Sequence, residues 1–370
     1  MSLCFTAAVI LTAALYVFLL LRLTAAIRKT GLPAAGAVPK VSVIIPVHNG
    51  AETLPALLAA LSDQQFPEHR REFLFVDDRS TDATPSLLAD YCRGRKNCRV
   101  ITIPRGTDSP SPKKHAISTA VQSAVHDIII TTDDDTVPSP GWLQEMAACF
   151  SEKVHMVMGY APYRTDGPYD TCFHRMLALD YLAMGAVAAG SAAAGFPITS
   201  FGANLAYRRD VFTRIGGFGE GSRFLSGDDD LLVHRFHRDT PGSVVFNHHS
   251  AAAVPTAPPA SFRQFLRQRL RFSSKHLAYP PFLIGCMGSI YLFNLLLTAG
   301  LAAALFEPVF LIPAAAALAV KSLADIILLR SGQRLLGERP LLRLYPLAAL
   351  PHLLYVVLIP LFARFRPRRW

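Results

Sequence analysis

The chain has 370 residues, of which 51% are hydrophobic and 17% are charged, and its net charge is +10. The length suits one or two domains with an ample core, and the composition argues against a purely soluble protein. The basic excess is compatible with nucleic acid, anionic lipid or a phosphorylated substrate. The six scattered cysteines form no CxxC pair, which predicts reduced thiols on a cytosolic face and excludes a small disulfide scaffold.

An uncharged apolar segment, residues 3–21, opens the chain. It can cross a bilayer, which needs ~20 apolar residues, and it is longer than the ~7–15-residue apolar core of a cleaved signal peptide. We therefore predict an N-terminal transmembrane anchor within residues 1–30. Arg22, Arg28 and Lys29 follow the segment, and the preference of such residues for the cytosolic side places the remainder of the chain in the cytosol.

Residues 31–40 form a predicted linker, after which short apolar runs alternate with helical patterns as far as about residue 250. Strands that alternate with helices indicate a parallel sheet with helices on both faces. Residues 171–196, rich in Ala, Gly and Met, are either a buried helix or a membrane-adjacent segment, and Asp180 disfavours a spanning helix. The predicted strands are 41–45, 73–76, 99–103 and the run ending at 130, and the predicted helices are 52–64, 84–91, 114–125 and 140–150.

Basic residues alternate with Phe and Leu in residues 261–275, which is typical of an amphipathic helix at a membrane surface. A nucleic-acid-binding helix is the alternative, but apolar segments follow directly. We predict an interface helix at 261–278 and a membrane region at 281–370. Its three segments that are each long enough to span a bilayer are 281–306, 308–329 and 341–363.

The orientation of the C-terminal region has two solutions. Basic residues in the loop 330–343 and in the tail 364–369 both favour the cytosol, yet three full crossings would leave the tail outside. The last segment, which contains three prolines, is therefore either a third crossing or a re-entrant or interfacial segment. Lys321 and Asp325, four residues apart within one segment, can pair on one helix face.

Four acidic or polar clusters follow predicted strands or open helices, at residues 46–49, 77–82, 133–135 and 228–230. Ligands of open α/β sheets bind at the carboxyl ends of strands, and Mg²⁺ is commonly held by one or two carboxylates together with phosphates. The clusters therefore indicate a metal–diphosphate site. The structural alternatives are a solvated acidic turn and helix caps. The sequence contains no glycine-rich phosphate loop, dinucleotide fingerprint or zinc-type spacing.

Six motifs in order, VSVIIPVHN, VDDRSTD, TTDDD, FGANLAYRRDVFTRIGGF, SGDDDL and QRLRF, give the chain a specific resemblance over residues 41–275. It resembles the inverting GT-A glycosyltransferases that include cellulose, chitin and hyaluronan synthases. The resemblance implies an α/β fold, namely a GT-A nucleotide-diphospho-sugar transferase domain with a Rossmann-like mixed sheet at 41–250, between N- and C-terminal transmembrane helices. It also implies transfer of a sugar, uridine diphosphate-linked, to a lipid or polysaccharide acceptor on the cytosolic face of a bacterial inner membrane, with Mg²⁺ or Mn²⁺.

The resemblance implies a role for each matching residue, with Asp229 as the general base and Asp133 and Asp135 as the metal ligands of a DxD motif. The chain departs from the family pattern at Phe272, where a Trp is usual, and at Pro112, where a Gly is usual. The residues expected to bind the nucleotide-sugar are Pro46, Asn49, Asp78, Lys113, Asp133 and Asp135. Those expected to close over the acceptor and diphosphate are Asn204, Asp228, Gln268, Arg269 and Arg271.

Two other functions remain open at this point. A non-catalytic membrane scaffold of the same fold would bind a nucleotide without needing a base, so the acids at 228–230 argue for catalysis. A nucleic-acid binder is disfavoured because the basic residues lie beside the apolar segments, and we predict no nucleic-acid partner.

Overall fold

A seven-stranded sheet forms the centre of the protein in the computed structural model, which describes residues 2–31, 38–106, 109–240, 244–275 and 278–363. The strand order is β3-β2-β1-β4-β6-β5-β7. The strands are β1 (Val41–Val47), β2 (Arg71–Asp77), β3 (Cys98–Thr102), β4 (Ile128–Thr131), β5 (Met156–Gly159), β6 (Leu205–Arg208) and β7 (Val244–Asn247).

The sheet is mixed rather than fully parallel. Strands β1 to β4 run parallel, as the alternating pattern predicts, and β5 pairs parallel with β7. Strand β6 lies between β4 and β5 and runs antiparallel to both. The wholly parallel sheet expected from alternation alone is therefore wrong, because a long helix between β5 and β6 returns the chain in the opposite direction. The Rossmann-like mixed sheet that the family resemblance implies is confirmed.

Twelve helices surround this sheet within the described ranges. Proline stands in the first turn of α2, α3 and α4, where its missing N–H costs no hydrogen bond, and Thr171 and Ser261 cap α6 and α9 through their side chains. The helices are α1 (Ser2–Ile27), α2 (Leu54–Ser62), α3 (Thr84–Cys92), α4 (Pro112–Ser123), α5 (Trp142–Ala148), α6 (Cys172–Ala193), α7 (Arg209–Arg214), α8 (Asp230–Asp239), α9 (Phe262–Ser273), α10 (Pro281–Ala303), α11 (Leu311–Leu336) and α12 (Tyr345–Ala363).

The core has two layers because successive side chains of a strand point to opposite faces of the sheet. Val43 and Ile45 of β1 lie in one layer with Leu57 of α2. Ile44 lies in the other layer with Ala116 of α4. Burying a side chain of this size stabilises the fold by about 1.5–3 kcal/mol, so the alternation fixes the strand register and the positions of the loops after the strands.

Five helices of the described chain are long and apolar enough to cross a membrane, namely α1, α6, α10 and the two that begin near residues 308 and 341. The terminal apolar helices expected from the sequence are thus present. The helix α6 is more buried than the others because it packs against α1 and α11. Lys321 and Asp325 of α11 form the expected ion pair at 2.6 Å, and Tyr16 and Tyr345 donate to the same carboxylate.

Four other expectations concern the periphery of the fold. The helix predicted at 261–278 corresponds to α9, which ends at Ser273, and its position at a membrane interface stays a prediction. Helix α12 is continuous, with two prolines inside it. Most of the predicted linker and the basic tail lie outside the described residues. Cys92 and Cys98 form a disulfide with a Cα–Cα distance of 5.1 Å, so the expectation of reduced thiols is wrong for this pair. The turn between α3 and β3 brings the two residues together.

Candidate functional site

A cavity of about 1640 Å³ lies at the carboxyl ends of β1, β2 and β4. The end of β1 supplies Pro46, the loops after β2 and β4 supply Asp78 and the acids at 133–135, and the start of α8 supplies the acids at 228–230. Parallel strands end at one edge of a sheet, which explains why acids far apart in sequence meet there. The volume exceeds the 300–1,000 Å³ or so that is usual for the site of a single small ligand.

Lys113, at the start of α4, joins the two acidic motifs. Its Nζ lies 2.6 Å from Asp133 Oδ1 and 2.7 Å from Asp228 Oδ2. Burial by itself would lower the pKa of Lys113, but the two carboxylates outweigh burial and raise that pKa above its ordinary value. The side chain is therefore a fixed positive charge in the middle of the cavity.

The carboxylates at 133–135 carry more negative charge than their neighbours offset. Burial and then the charge of Asp133 raise the pKa of Asp134 to about 6. Burial and then the charges of Asp133 and Asp134 raise the pKa of Asp135 to about 7. Asp135 Oδ1 accepts a hydrogen bond from Thr256 Oγ1 at 3.2 Å. A cation placed beside these groups would relieve their repulsion.

The carboxylates of the cavity suit a metal ion that also binds oxygen atoms of a ligand. Across the described ranges, no group of three or more His, Cys, Asp or Glu side chains is arranged to hold a metal ion. The protein would then supply one or two carboxylates, here Asp133 and Asp135, and phosphate oxygens would supply much of the rest. That sharing is the usual arrangement for Mg²⁺ and suits a nucleotide diphosphate.

Two acids at the start of α8 share one lysine but differ in pKa. Lys275 Nζ lies 2.8 Å from Asp230 Oδ2 and 3.0 Å from Asp229 Oδ1, and Tyr279 also donates to Asp230. Burial opposes ionisation of both groups. The pKa of Asp230 is nevertheless lowered, chiefly by Lys275, whereas burial and then the charge of Asp230 raise the pKa of Asp229. Neighbouring acids whose pKa values are pushed apart are suited to different roles, and Asp229 is the better proton acceptor.

A second buried lysine holds the loop that leads to these acids. Lys114 Nζ donates to the carbonyl oxygens of Gly221, Phe224 and Ser226, each at 2.7 Å. The lysine is 1% exposed. Because three backbone acceptors converge on one ammonium group, the loop has a single well-defined path into Asp228.

The side chains of α9 line the cavity, but Arg269 is already engaged. Its guanidinium pairs with Asp180 of α6, which also accepts a hydrogen bond from Tyr355 of α12. The group is 5% exposed and lies over the rings of Phe265 and Phe272. In this arrangement Arg269 joins α6, α9 and α12, and it would have to leave Asp180 to reach a phosphate.

Gln268 and Arg271 lie on the cavity wall beside Arg269, and Gln268 accepts a hydrogen bond from Tyr163 at 2.9 Å. Two other expected site residues are not brought to the cavity lining. Asn49 joins two loops, because its side-chain oxygen accepts from the backbone N–H of Thr81. Asn204 is fully buried and its amide is saturated by Trp142, Tyr160 and Ala252, which is a structural role.

The sequence alone does not identify Lys114, Asp180, Lys275 or Tyr279 as part of the site. Asp180 gave a signal, because a lone acid in an apolar helix needs a partner. Lys275 gave a weaker one as the last basic residue of the amphipathic stretch. The partners of both lie far away in the sequence, 89 and 46 residues respectively, so only the fold reveals the pairs.

Comparison with known proteins agrees with this geometry. Residues 42–216 match the family Glycosyl transferase family 2. The chain is 24% identical to "Probable glycosyltransferase YdaM" of Bacillus subtilis, over 64% of this chain and 54% of that protein. It is 27% identical to the hyaluronan synthase of Streptococcus pyogenes, over 63% of this chain and 56% of that protein. The chain thus spans little more than half the length of these two relatives.

The fold is also that of a solved transferase. The mannosyltransferase PcManGT from Pyrobaculum calidifontis, in complex with GDP-Man and Mn²⁺, superposes with a TM-score of 0.59 at 21% identity, over 97% of each chain. This similarity supports the GT-A fold class predicted from the motifs. Residues 42–216 therefore match glycosyl transferase family 2, and the chain has a GT-A fold.

Proposed function

We propose that this protein is a membrane-anchored, inverting glycosyltransferase that moves a hexose from a nucleotide-sugar to a lipid or glycan acceptor. One observation carries the proposal. In a domain of this family, Asp78, the acids at 133–135, Lys113 and Asp229 line one cavity at the carboxyl ends of the strands. The cavity thus carries a positive side chain, which suits a diphosphate, and carboxylates, one of which can accept the proton of a reacting hydroxyl.

Different residues of the chain would bind the nucleoside, the diphosphate and the metal ion. Pro46 and Asp78 of the cavity lining would contact the nucleoside, and the fixed charge of Lys113 suits a diphosphate. Asp133 and Asp135 would hold Mg²⁺ or Mn²⁺. When bound, such an ion neutralises the charge that develops on the departing diphosphate. The similar mannosyltransferase in complex with GDP-Man and Mn²⁺ supports a metal, and makes guanosine diphosphate sugars a donor class to test beside uridine diphosphate sugars.

The chemistry needs one proton acceptor and no protein nucleophile. The acceptor hydroxyl oxygen forms a bond to the anomeric carbon while the bond from that carbon to the diphosphate oxygen breaks. The diphosphate leaves with the electron pair, and the hydroxyl proton passes to the carboxylate of Asp229. A direct displacement of this kind inverts the anomeric centre, and a general base contributes about 10²–10⁴-fold.

The candidate membrane helices favour a catalytic domain on the cytosolic face of a bacterial inner membrane. The basic residues after α1 support that side. The Cys92–Cys98 disulfide stands against it, because disulfides persist in oxidising compartments. Helix α12 packs against both α9 and α10, which is compatible with either an interfacial or a spanning α12. Protease protection of inside-out and right-side-out vesicles decides the side.

The test uses the full chain in membranes with radiolabelled UDP-glucose, UDP-N-acetylglucosamine and GDP-mannose, each with Mg²⁺ or Mn²⁺. We expect transfer from at least one donor and a loss of about 10²–10⁴-fold in Asp229→Asn. The exposed Asp210→Asn is the control and should behave as wild type. Near-normal turnover in Asp229→Asn would remove the base assignment.

The same experiment separates the enzyme from a scaffold. A scaffold would bind a nucleotide-sugar in a metal-dependent way and give neither transfer nor hydrolysis with any donor. In that case the catalytic proposal would fail. Binding by Asp229→Asn is expected under both functions, so the decision rests on transfer and hydrolysis.

A further inference from the structure

The large cavity extends beyond the acids into an apolar part. This part lies among the candidate membrane helices, and its lining includes Leu20 of α1, Val187 of α6, Met287 and Ile290 of α10, and Ile359 of α12. The helix α6 packs against α1 and α11, and α10 packs against α1, α11 and α12. The cavity therefore occupies space between α6 and α10 that side chains do not fill.

The apolar and acidic parts of the cavity meet at the start of α8. Tyr279 donates to Asp230, and Leu283 of α10 lies in one apolar cluster with Tyr279 and Leu231. Asp229 is the neighbour of Asp230 and shares Lys275 with it, so both acids lie where the two parts meet. A molecule that lies in the apolar part and extends out of it would come to this pair of acids.

The volume and the lining of the cavity indicate which kind of molecule its apolar part can hold. A single small ligand needs about 300–1,000 Å³, so about 1640 Å³ leaves room for a second molecule beside a nucleotide-sugar. A glycan would place hydroxyl groups against Leu, Ile, Val and Met side chains, and each unpaired hydroxyl would cost about 1–3 kcal/mol. A hydrocarbon chain that enters from the bilayer brings no polar group, so it leaves no hydrogen bond unmade against the same surface.

We propose that the acceptor is a lipid that bears a terminal hydroxyl group, with its hydrocarbon chain between α6 and α10 and its hydroxyl at Asp229. This inference rests on the proposed function and names its acceptor class. The lipid oxygen forms the new bond to the anomeric carbon, the diphosphate leaves with the electron pair, and the lipid's proton passes to Asp229. The product is a glycolipid.

Two glycines of α10 give a matched pair of variants. Gly288 lines the cavity, and a Cβ there would meet no atom within 4 Å. Gly285 has the same open surroundings but is not part of the lining. Gly288→Trp should therefore fill part of the apolar cavity without a clash at its first carbon, and Gly285→Trp adds the same bulk elsewhere on the helix.

The first experiment measures lipid occupancy without donor. The full chain in phosphatidylcholine vesicles is labelled with a photoactivatable 16-carbon fatty alcohol, and the labelled residues are mapped by mass spectrometry. We expect label on cavity-facing residues of α10 and α12, at least fivefold less label in Gly288→Trp, and wild-type label in Gly285→Trp. Equal labelling of the three proteins, with similar thermal unfolding midpoints, would overturn the proposal.

The second experiment measures transfer in membranes with the radiolabelled donors, followed by partition of the product between chloroform–methanol and water. Product in the organic phase that falls at least tenfold in Gly288→Trp supports a lipid acceptor. Product confined to water overturns the lipid acceptor and leaves the glycosyltransferase intact. Absence of donor turnover and donor binding overturns the proposed function, while the labelling experiment still decides whether the cavity takes a lipid.

Discussion

Lys275 Nζ lies 3.0 Å from Asp229 Oδ1, so that a cation from the end of α9 faces the carboxylate we assign as the general base. Burial raises the pKa of Asp229 and Lys275 opposes that rise. Removing the cation should raise the pKa further, and more of the carboxylate is then protonated at neutral pH. We expect Lys275→Met to move the acidic limb of the kcat profile to higher pH and to lower transfer at pH 7 about tenfold or more.

Lys275→Arg is the control, because it keeps the charge beside Asp229. Its acidic limb should stay near that of wild type. A Lys275→Met variant with reduced kcat but an unshifted pH profile would show that the lysine acts only on the fold.

The pairing of Arg269 with Asp180 predicts that the two residues act together. Breaking a buried pair from either side costs about 3–5 kcal/mol, because the remaining charge is left unpaired. Arg269→Met and Asp180→Asn should therefore lower the thermal unfolding midpoint and transfer to a similar extent. The double variant should recover part of both losses.

A different outcome would identify Arg269 as a phosphate ligand. In that case Arg269→Met alone would raise the KM for the nucleotide-sugar, and Asp180→Asn would leave it unchanged. Steady-state kinetics of the three variants distinguish these roles.

We predict that Lys114 holds the loop before Asp228 in place. Lys114→Met leaves three buried carbonyl groups without their donor, at a cost of about 1–3 kcal/mol. We expect a lower unfolding midpoint and a loss of transfer, with nucleotide diphosphate affinity within about twofold of wild type. Lys153→Met removes the same charge at an exposed site and should leave both quantities unchanged. Normal transfer in Lys114→Met would contradict the role of the lysine.

We predict that the buried His234 makes the folded protein less stable as the pH falls. Burial lowers its pKa from 6.5 to about 4, and its Nε2 donates to the carbonyl of Ile198 at 2.9 Å. Between pH 4 and 6.5 the unfolded chain binds the proton and the folded one does not, so the free energy of unfolding falls as the pH falls through this window. Over this pH window the free energy of unfolding falls by about 3 kcal/mol in all.

Unfolding midpoints in detergent from pH 4 to 7.5 check this, since His234→Gln should show a shallower decline than wild type. The exposed His69→Gln should decline as wild type does. Parallel curves for wild type and His234→Gln would contradict the buried neutral histidine.

The first half of the sheet could be predicted from the sequence and the second half could not. The strands β1 to β4 are apolar runs with clear turn signals, such as Ile128–Thr131 before the acids. The strands β5, β6 and β7 have four residues each, as β4 has, but no acidic motif directly after them marks where they end. The antiparallel direction of β6 depends on the path of α6, which has no local signature.

The acids of the site could be predicted because motifs place them next to strand ends and a helix start. What holds them could not, because Lys113, Lys114 and Lys275 look alike as letters in a basic sequence. Their partners are set by tertiary packing, and the same is true of Asn204, whose buried amide is saturated by backbone and indole groups. Motif position therefore predicts location more reliably than it predicts a role.

The position of α6 in the chain has a practical consequence for biochemistry. It lies between β5 and β6, two neighbouring strands of the central sheet, and Gly190 approaches the backbone of Leu23 in α1 so closely that a Cβ would lie 3.0 Å from its carbonyl oxygen. Removing both ends of the chain would leave the apolar α6 in the remaining fragment without α1 and α11, the helices against which it packs. Purification therefore requires the whole polypeptide in detergent or nanodiscs, and a trimmed catalytic fragment should aggregate.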